Sequence, residues 1–244
     1  MEVSAVTIDF WNTIYDSSNG KERNAYRQKI LIQEMDKTGH LVMHDEYDKA
    51  MKATWEYFEE IWTKQHRTPG SEECVSFIWN HLKLPQVPES IEIVIKAFED
   101  SVLIHPPKLI DGVKNALEKM HERFPLALIS DTGFSPGTIL LEQMRRDGID
   151  HLFKGYSFSD ETGVSKPNSK AFITALEFTQ SSPEETVHIG DIEQTDVKGA
   201  KEHGMKAIRF SGSITEYVSV RNTDDTQADH EFHRWDDITN LIIK

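Results

Sequence analysis

Two acidic residues each follow an apolar run. Residues 3–8 (VSAVTI) have the apolar, β-branched character of a buried strand, and Asp9 follows it, ahead of Phe10, Trp11, Asn12 and Thr13. Residues 186–189 (TVHI) read the same way and lead into Gly190 and Asp191. A carboxylate at a strand end can act as a nucleophile and form an aspartyl-phosphate. It can also give Mg²⁺ the hard oxygen ligand that this ion prefers. In an open parallel α/β sheet the strand C-termini line one edge, and ligands bind in the crevice there. Two carboxylates on that edge point to a metal or phosphoryl site. A plain strand followed by an Asx- or Thr-stabilised turn is the competing account of residues 9–13.

Three further segments carry polar residues at the same kind of place. Ser130-Asp131-Thr132-Gly133 follows a short apolar run, residues 125–129. A hydroxyl there, with turn amides behind it, can bind a phosphoryl oxygen, although Ser, Asp and Thr are also favoured helix caps. In Gly163-Val164-Ser165-Lys166-Pro167, Lys166 can neutralise charge that develops in a transition state, or be ordinary solvated surface; Pro167 fixes the chain before the next helix. Asp196 lies in the first turn of the helix after Asp191, where the helix dipole alone accounts for an acid.

These segments need a sheet to position them. After the first strand, residues 16–20 (DSSNG) form a polar loop, and from there to about His105 the character is helical. Tyr26, Ile30, Ile32 and Met35 recur at near-helical spacing, as do Tyr47, Met51, Trp55, Phe58 and Trp62; further helices are expected over 72–82 and 91–102. Beyond Pro106-Pro107 the pattern alternates: helix 111–123, strand 125–129, helix 135–146, strand 153–158, helix 169–178, strand 186–189, helix 195–203, strand 206–210. Such alternation predicts an α/β fold, a doubly wound parallel sheet (Rossmann-like core) with helices on both faces. The first strand belongs to that sheet, so the expected domains are an α/β core of residues 1–16 and 106–244 and an inserted all-helical domain of residues 17–105.

Composition narrows the classes. The chain has 244 residues, enough for one large domain or a domain with a sizeable insertion. Its net charge of -14 argues against nucleic acid as the main partner. No apolar stretch approaches the roughly 20 residues that span a bilayer, and the N-terminus lacks a signal-peptide pattern. The single cysteine, Cys74, excludes an internal disulfide and fits a reducing compartment. A cytoplasmic protein with no nucleic-acid or membrane partner is expected.

In order and spacing the four polar segments resemble the four motifs of the haloacid dehalogenase-like hydrolase superfamily, and the helical insertion directly after the first resembles its C1 cap. The resemblance implies Asp9 as nucleophile, Ser130 as phosphate-oxygen ligand, Lys166 as charge stabiliser and Asp191 as metal ligand. Asp196 matches the second acid of the fourth motif, which supports Lys166 or the metal shell. Asp131 and Thr13 are expected beside the substrate. Mg²⁺ is the implied cofactor, held by Asp9, Asp191 and the backbone carbonyl of Trp11, and the implied substrate is a small phosphorylated molecule.

Trp11 departs from the pattern. Phosphatases of the superfamily carry a second Asp there, which protonates the leaving group and whose carbonyl binds the metal. Trp11 keeps the carbonyl and loses the acid. The superfamily's 2-haloacid dehalogenases carry an aromatic residue at this place and need no metal, so metal-free dehalogenation is an alternative. Against it, Gly190-Asp191 with Asp196 resembles the metal-binding fourth motif. A catalytically weak binding or regulatory protein is the third reading.

Within the insertion, Arg23 and Arg27 lie one helical turn apart. A solvated amphipathic face is the first reading and an anion-facing pair the second. Trp55, Trp62 and Trp79 are read as core, no single lysine among Lys21, Lys29, Lys49 and Lys52 is marked out, and His188, inside a strand, is read as structural.

Overall fold

The computed structural model describes residues 1–213, 222 and 225–243. Six strands form one sheet: β1 (Ala5–Asp9), β2 (Leu126–Ser130), β3 (Gly155–Phe158), β4 (Thr186–Gly190), β5 (Lys206–Phe210) and β6 (His230–Phe232). Their order is β3-β2-β1-β4-β5-β6, and every neighbouring pair is parallel. The winding direction reverses between β1 and β4, so a crevice opens at their C-terminal ends. Asp9 is the last residue of β1 and Ser130 the last of β2, while Asp191 follows Gly190, the last of β4.

The sheet is covered on both faces, so its central strands read as continuous apolar runs rather than as alternation. Each strand still divides its side chains by a period of two. Val6, Ile8, Leu126, Leu128, Ile208 and Phe210 enter one buried cluster. Ala127, Ile129 and Ala207 enter a second, on the opposite face.

Between β1 and β2 lie four helices: α1 (Gly20–Lys37), α2 (His44–Gln65), α3 (Ser71–His81) and α4 (Pro88–Ile104). After them come α5 (Val113–His121), α6 (Gly137–Asp147), α7 (Ser159–Thr162), α8 (Ser169–Thr179), α9 (Lys198–Glu202) and α10 (Trp235–Ile242). Helices α1–α4 bury a cluster of their own, including Leu31, Met35, Tyr47, Val75, Ile78, Trp79 and Phe98. Phe134, from the loop after β2, is embedded in that cluster. The joint between the helices and the sheet is therefore apolar at its centre.

Four elements differ from the sequence expectation. The strand expected at 153–158 starts at Gly155, because the Phe153 amide still closes the 3₁₀ turn Asp150–Leu152 onto the Asp150 carbonyl. The helix expected from residue 195 opens as a π-helical turn, Glu193–Val197, before α9. Both the Asp196 and Val197 amides donate to the Ile192 carbonyl there, and such widened turns are common at functional sites. Strand β6 and helix α10 have no counterpart among the expected elements, the last of which ends at Phe210. With only His230-Glu231-Phe232, β6 has no apolar run to announce it; it is held by pairing to β5 and by Arg209, whose Nη2 donates to Glu231 at 2.7 Å.

Candidate active site

Lys166 is 2% exposed and joins two acids that lie far from it in the chain. Its Nζ donates to Asp9 Oδ1 and, at 2.6 Å, to Asp196 Oδ1. The line continues inward: His188 Nε2 lies 3.1 Å from Asp196 Oδ1, and Thr7 Oγ1 lies 2.9 Å from His188 Nδ1. Burial holds the His188 imidazole below its usual pKa, against the pull of Asp196. The ring is therefore neutral at pH 7, with Nε2–H donating to Asp196 and the Thr7 hydroxyl donating to Nδ1. His188, expected to be structural, is a buried support for an acid of the site.

Asp196 accepts from four donors, since its Oδ2 takes the Ile192 amide at 3.0 Å and Thr195 Oγ1 at 3.2 Å. Burial works against its charge, but Lys166 and His188 outweigh burial and keep its carboxyl far below the usual range. Burial likewise opposes the charge of Lys166, and Asp196, Asp9 and Asp131 outweigh it, so the ammonium is firmly protonated. Asp196 and Lys166 thus form a fixed pair. Asp9 is the loose member: burial pushes its pKa up to about 7, although Lys166 pulls it down. Among the described residues Asp9 accepts from Lys166 alone.

Asp191 has less support still. Its Oδ2 is buried with no hydrogen-bond partner among the described residues. Burial, and after it repulsion from Asp9 and Asp196, holds its carboxyl well above the ordinary pKa. Its position is set from outside the motif: Asn222 Nδ2 donates to the Asp191 carbonyl at 2.7 Å, and the Glu193 amide donates to Asn222 Oδ1 at 2.7 Å. Glu193 is pinned in turn by Arg209, Thr226 and the Gln227 amide. Nothing local in the sequence marks Asn222 or Glu193 for this.

Asp131 is tied on both oxygens. Oδ1 accepts the Lys166 amide at 2.9 Å, and Oδ2 accepts Trp62 Nε1 at 2.9 Å. Trp62 comes from α2, so this bond joins the helical insertion to the sheet edge. Among the described residues, Ser130 Oγ and Thr13 Oγ1 are buried without hydrogen-bond partners, and neither residue lines the cavity above Asp9. Ser130 sits at the end of β2 beside that cavity's floor; Thr13 is fully buried, and its carbonyl accepts Trp235 Nε1 at 3.0 Å.

The cavity has a volume of about 930 Å³. Asp9, Asp131, Lys166, Asp191 and Asp196 lie at its sheet end, and Trp11, Arg23, Arg27, Trp55, Phe58 and Trp62 are among the residues that enclose it. Two expectations change here. Arg23 and Arg27 are 8% and 5% exposed, so they are not a solvated face. Trp79 is core as expected, but Trp62 and Trp55 face the cavity, and Trp55 stays 43% exposed. The helical period locates a stripe and cannot tell a core from the wall of a cavity.

Four carboxylates, those of Asp9, Asp131, Asp191 and Asp196, surround the one ammonium of Lys166. The Asp191 oxygen without a donor among the described residues marks a carboxylate that lacks a cation, and Asp9, with its pKa raised, shares the Lys166 ammonium with Asp196. Uncompensated buried charge costs several kcal/mol, and a hard divalent ion removes that cost. Among the described residues no group of three or more His, Cys, Asp or Glu side chains forms a metal cage. The carboxylates of Asp9 and Asp191, one oxygen of the latter without a donor among the described residues, suit Mg²⁺, which binds through one or two carboxylates and fills the rest of its shell with water and substrate oxygen.

Gly190 lets Asp196 reach this arrangement. A Cβ at residue 190 would stand 2.4 Å from Asp196 Cγ and 2.5 Å from its Cβ. Gly190→Ala is expected to displace Asp196 and cost about 1–3 kcal/mol, the usual range for overpacking. Urea unfolding of the two proteins measures it, and equal midpoints would show that the contact relaxes freely.

A family model described as haloacid dehalogenase-like hydrolase matches residues 3–204. The chain belongs to that family. It is a hydrolase. Among curated relatives, a glyceraldehyde 3-phosphate phosphatase of Methanopyrus kandleri is 26% identical over 98% of this chain and 97% of its own length. Another of that name, from Pyrococcus furiosus, is 26% identical over 85% of this chain and 80% of its own. Among solved structures, a 2-haloacid dehalogenase of Pseudomonas syringae aligns with a TM-score of 0.70 at 19% identity, covering 98% of this chain and 97% of that one. A Bacillus subtilis family member, YfnB, bound to magnesium, aligns with a TM-score of 0.65 at 18% identity over 99% of both chains. At these identities the structural likeness speaks for the fold.

Proposed function

We propose that this protein is a Mg²⁺-dependent hydrolase of a small phosphorylated compound, that it works through an aspartyl-phosphate on Asp9, and that it lacks the general acid usual in the family's phosphatases. Helices α1–α4, residues 17–105 with their loops, act as the cap over residues 1–16 and 106–244. The observation that carries the reading is the pair of under-compensated carboxylates, Asp9 and Asp191, beside a protonated Lys166 at the switch point of the sheet. The phosphatase names of full-length relatives agree with it.

Asp9 carries the nucleophilic oxygen, and it attacks phosphorus as the ester oxygen leaves. Lys166, locked to Asp196, offsets charge on the phosphoryl oxygens as the bond order changes. The hydroxyl of Ser130, buried at the end of β2 without a partner among the described residues, is a donor for those oxygens. Water then hydrolyses the acyl-phosphate and restores Asp9. Asp9, Asp191 and the Trp11 carbonyl would hold the Mg²⁺, which supplies electrostatic stabilisation of the phosphoryl group. Trp62, hydrogen-bonded to Asp131, holds the cap down and limits the water that enters.

The aromatic Trp11 keeps one rival open, a metal-free 2-haloacid dehalogenase. A panel of phosphate esters, acyl phosphates and 2-haloacids, with and without Mg²⁺, decides between them. Phosphate release that requires Mg²⁺ is expected. Halide release without metal would establish the rival, and binding without turnover of any compound would favour a regulatory protein.

Metal binding has its own test. Isothermal calorimetry with Mg²⁺ is expected to show binding to the wild type and at least a roughly tenfold loss in Asp191→Ala, since losing even an outer-shell partner of a metal ligand typically costs about 10- to 100-fold. Equal affinities would rule out Asp191 as a ligand.

A further inference from the structure

The cavity over Asp9 has two ends of opposite charge. The carboxylates and Lys166 lie at the sheet end, and α1 presents Arg23 and Arg27 to the same space. Arg27 is held rigidly: Nη1 donates to Asn24 Oδ1 at 3.0 Å and Nη2 to Ser101 Oγ at 2.7 Å. Its guanidinium also lies 5.4 Å from the Phe98 ring centre and 4.6 Å from that of Phe134. Its Nε is buried and makes no hydrogen bond among the described residues. Arg23 Nη1 donates to the backbone carbonyls of Ser18 and His105, at 2.8 Å and 3.1 Å. Arg23 Cζ stands 5.7 Å from the centre of the Trp11 ring.

Among the described residues, neither guanidinium has a carboxylate within the 4.0 Å of an ion pair. Asp16 and Glu22 act on Arg23 only from farther away, and Asp16 is already engaged by Ser18 and the Lys108 amide. Burial lowers the pKa of both, that of Arg27 to about 10, so both stay cationic at neutral pH. Two neighbouring buried cations offset only by carbonyls, a hydroxyl, an amide and ring faces are costly, because buried charge is normally paired.

We propose that Arg23 and Arg27 form an anion subsite, and that the substrate is a phosphate ester bearing a second anionic group, a phosphate or carboxylate, which this pair binds while the first phosphoryl reacts at Asp9. The inference deepens the hydrolase reading and takes from it the position of the reacting group. It also gives Trp11 a use. An aspartate at that place would lie against Arg23 and neutralise it. The indole supports the guanidinium through its ring face and leaves the remaining N–H donors free. The planar, five-donor fork of arginine suits phosphate and carboxylate oxygens alike.

The test is calorimetry in Mg²⁺-containing buffer with three non-hydrolysable probes: propane-1,3-bisphosphonate, 3-phosphonopropionate and propylphosphonate. The wild type is expected to bind at least one of the two bis-anions roughly tenfold or more tightly than propylphosphonate, as charge-assisted hydrogen bonds imply. The stronger of the two identifies the second group as phosphate or carboxylate. Arg23→Gln and Arg27→Gln should reduce that preference to about threefold or less, and Arg27→Lys should retain part of it, since it keeps the charge but not the fork. If Arg27→Gln shows no cooperative melt, Arg23→Gln decides alone. Wild-type protein that binds all three probes within about threefold, or binds none, overturns the proposal, as does an unchanged preference in Arg23→Gln. Selective binding without phosphate release from any ester would sink the hydrolase reading and leave the subsite standing. Phosphate release with indifferent probe binding would do the reverse.

Discussion

Asp9→Asn is expected to remove phosphate release altogether, by roughly 10⁴-fold or more, as for other nucleophiles whose partners remain in place. The amide is nearly isosteric but a poor nucleophile, and it cannot form the acyl-phosphate. The loss should be chemical rather than structural. Burial pushes the Asp9 pKa up to about 7, so the site does not favour its charge, and Lys166 keeps its bond to Asp196. The melting temperature should therefore fall by no more than a few degrees, the equivalent of about 1 kcal/mol in a chain of this size. The measurement is a coupled phosphate assay with the best ester found, beside a thermal melt and a mass spectrum to detect deamidation back to Asp. Substantial turnover by an intact Asn variant would defeat the covalent mechanism.

The second large effect is a dependence on the leaving group. With Trp11 where an acid is usual, nothing at that position protonates a departing alkoxide. General acid catalysis contributes about 10² to 10⁴-fold. Aryl and acyl phosphates need little protonation as they leave, and alkyl phosphates need much. The wild type should favour an aryl over a matched alkyl phosphate by a factor in that range. Trp11→Asp should raise the alkyl rate selectively. That variant carries two structural costs. It removes an aromatic contact with Phe10, at 4.9 Å between ring centres, and it places a carboxylate near Arg23. Circular dichroism and a urea midpoint establish whether the variant folds, and kcat/KM on the matched pair for both proteins gives the result. Fast alkyl turnover by the wild type would show that another group supplies the proton.

Sequence periodicity makes the sheet legible because each central strand is covered on both faces. A continuous apolar run as short as residues 126–129, and the β-branched segment 186–189, set between helical patterns, fit a buried parallel strand and are too brief for a buried helix. Polar residues directly after those runs can be placed on one edge for the same reason. β6 is not legible, because its three residues take their place from pairing with β5 and from the Arg209–Glu231 bond. The π turn at Glu193–Val197 is not legible either; periodicity near 3.6 does not separate it from an ordinary first helical turn.

Side-chain type and period act locally: they set which segments extend, which coil, and which polar residues stand at strand ends. The partnerships belong to the tertiary structure. Lys166 meets Asp9 across 157 positions, Trp62 reaches Asp131 across 69, and Asn222 sets the Asp191 backbone across 31. No period in the chain encodes those separations; they arise when sheet winding and helix packing bring distant surfaces together. Burial, too, is decided by the fold. The same charged type at helical spacing gives a solvated face at Lys49 and Lys52 and, at Arg23 and Arg27, a closed pair of guanidinium groups with no ion pair among the described residues. The difference is what packs above each helix face, and that is settled only when the helices and the sheet have assembled.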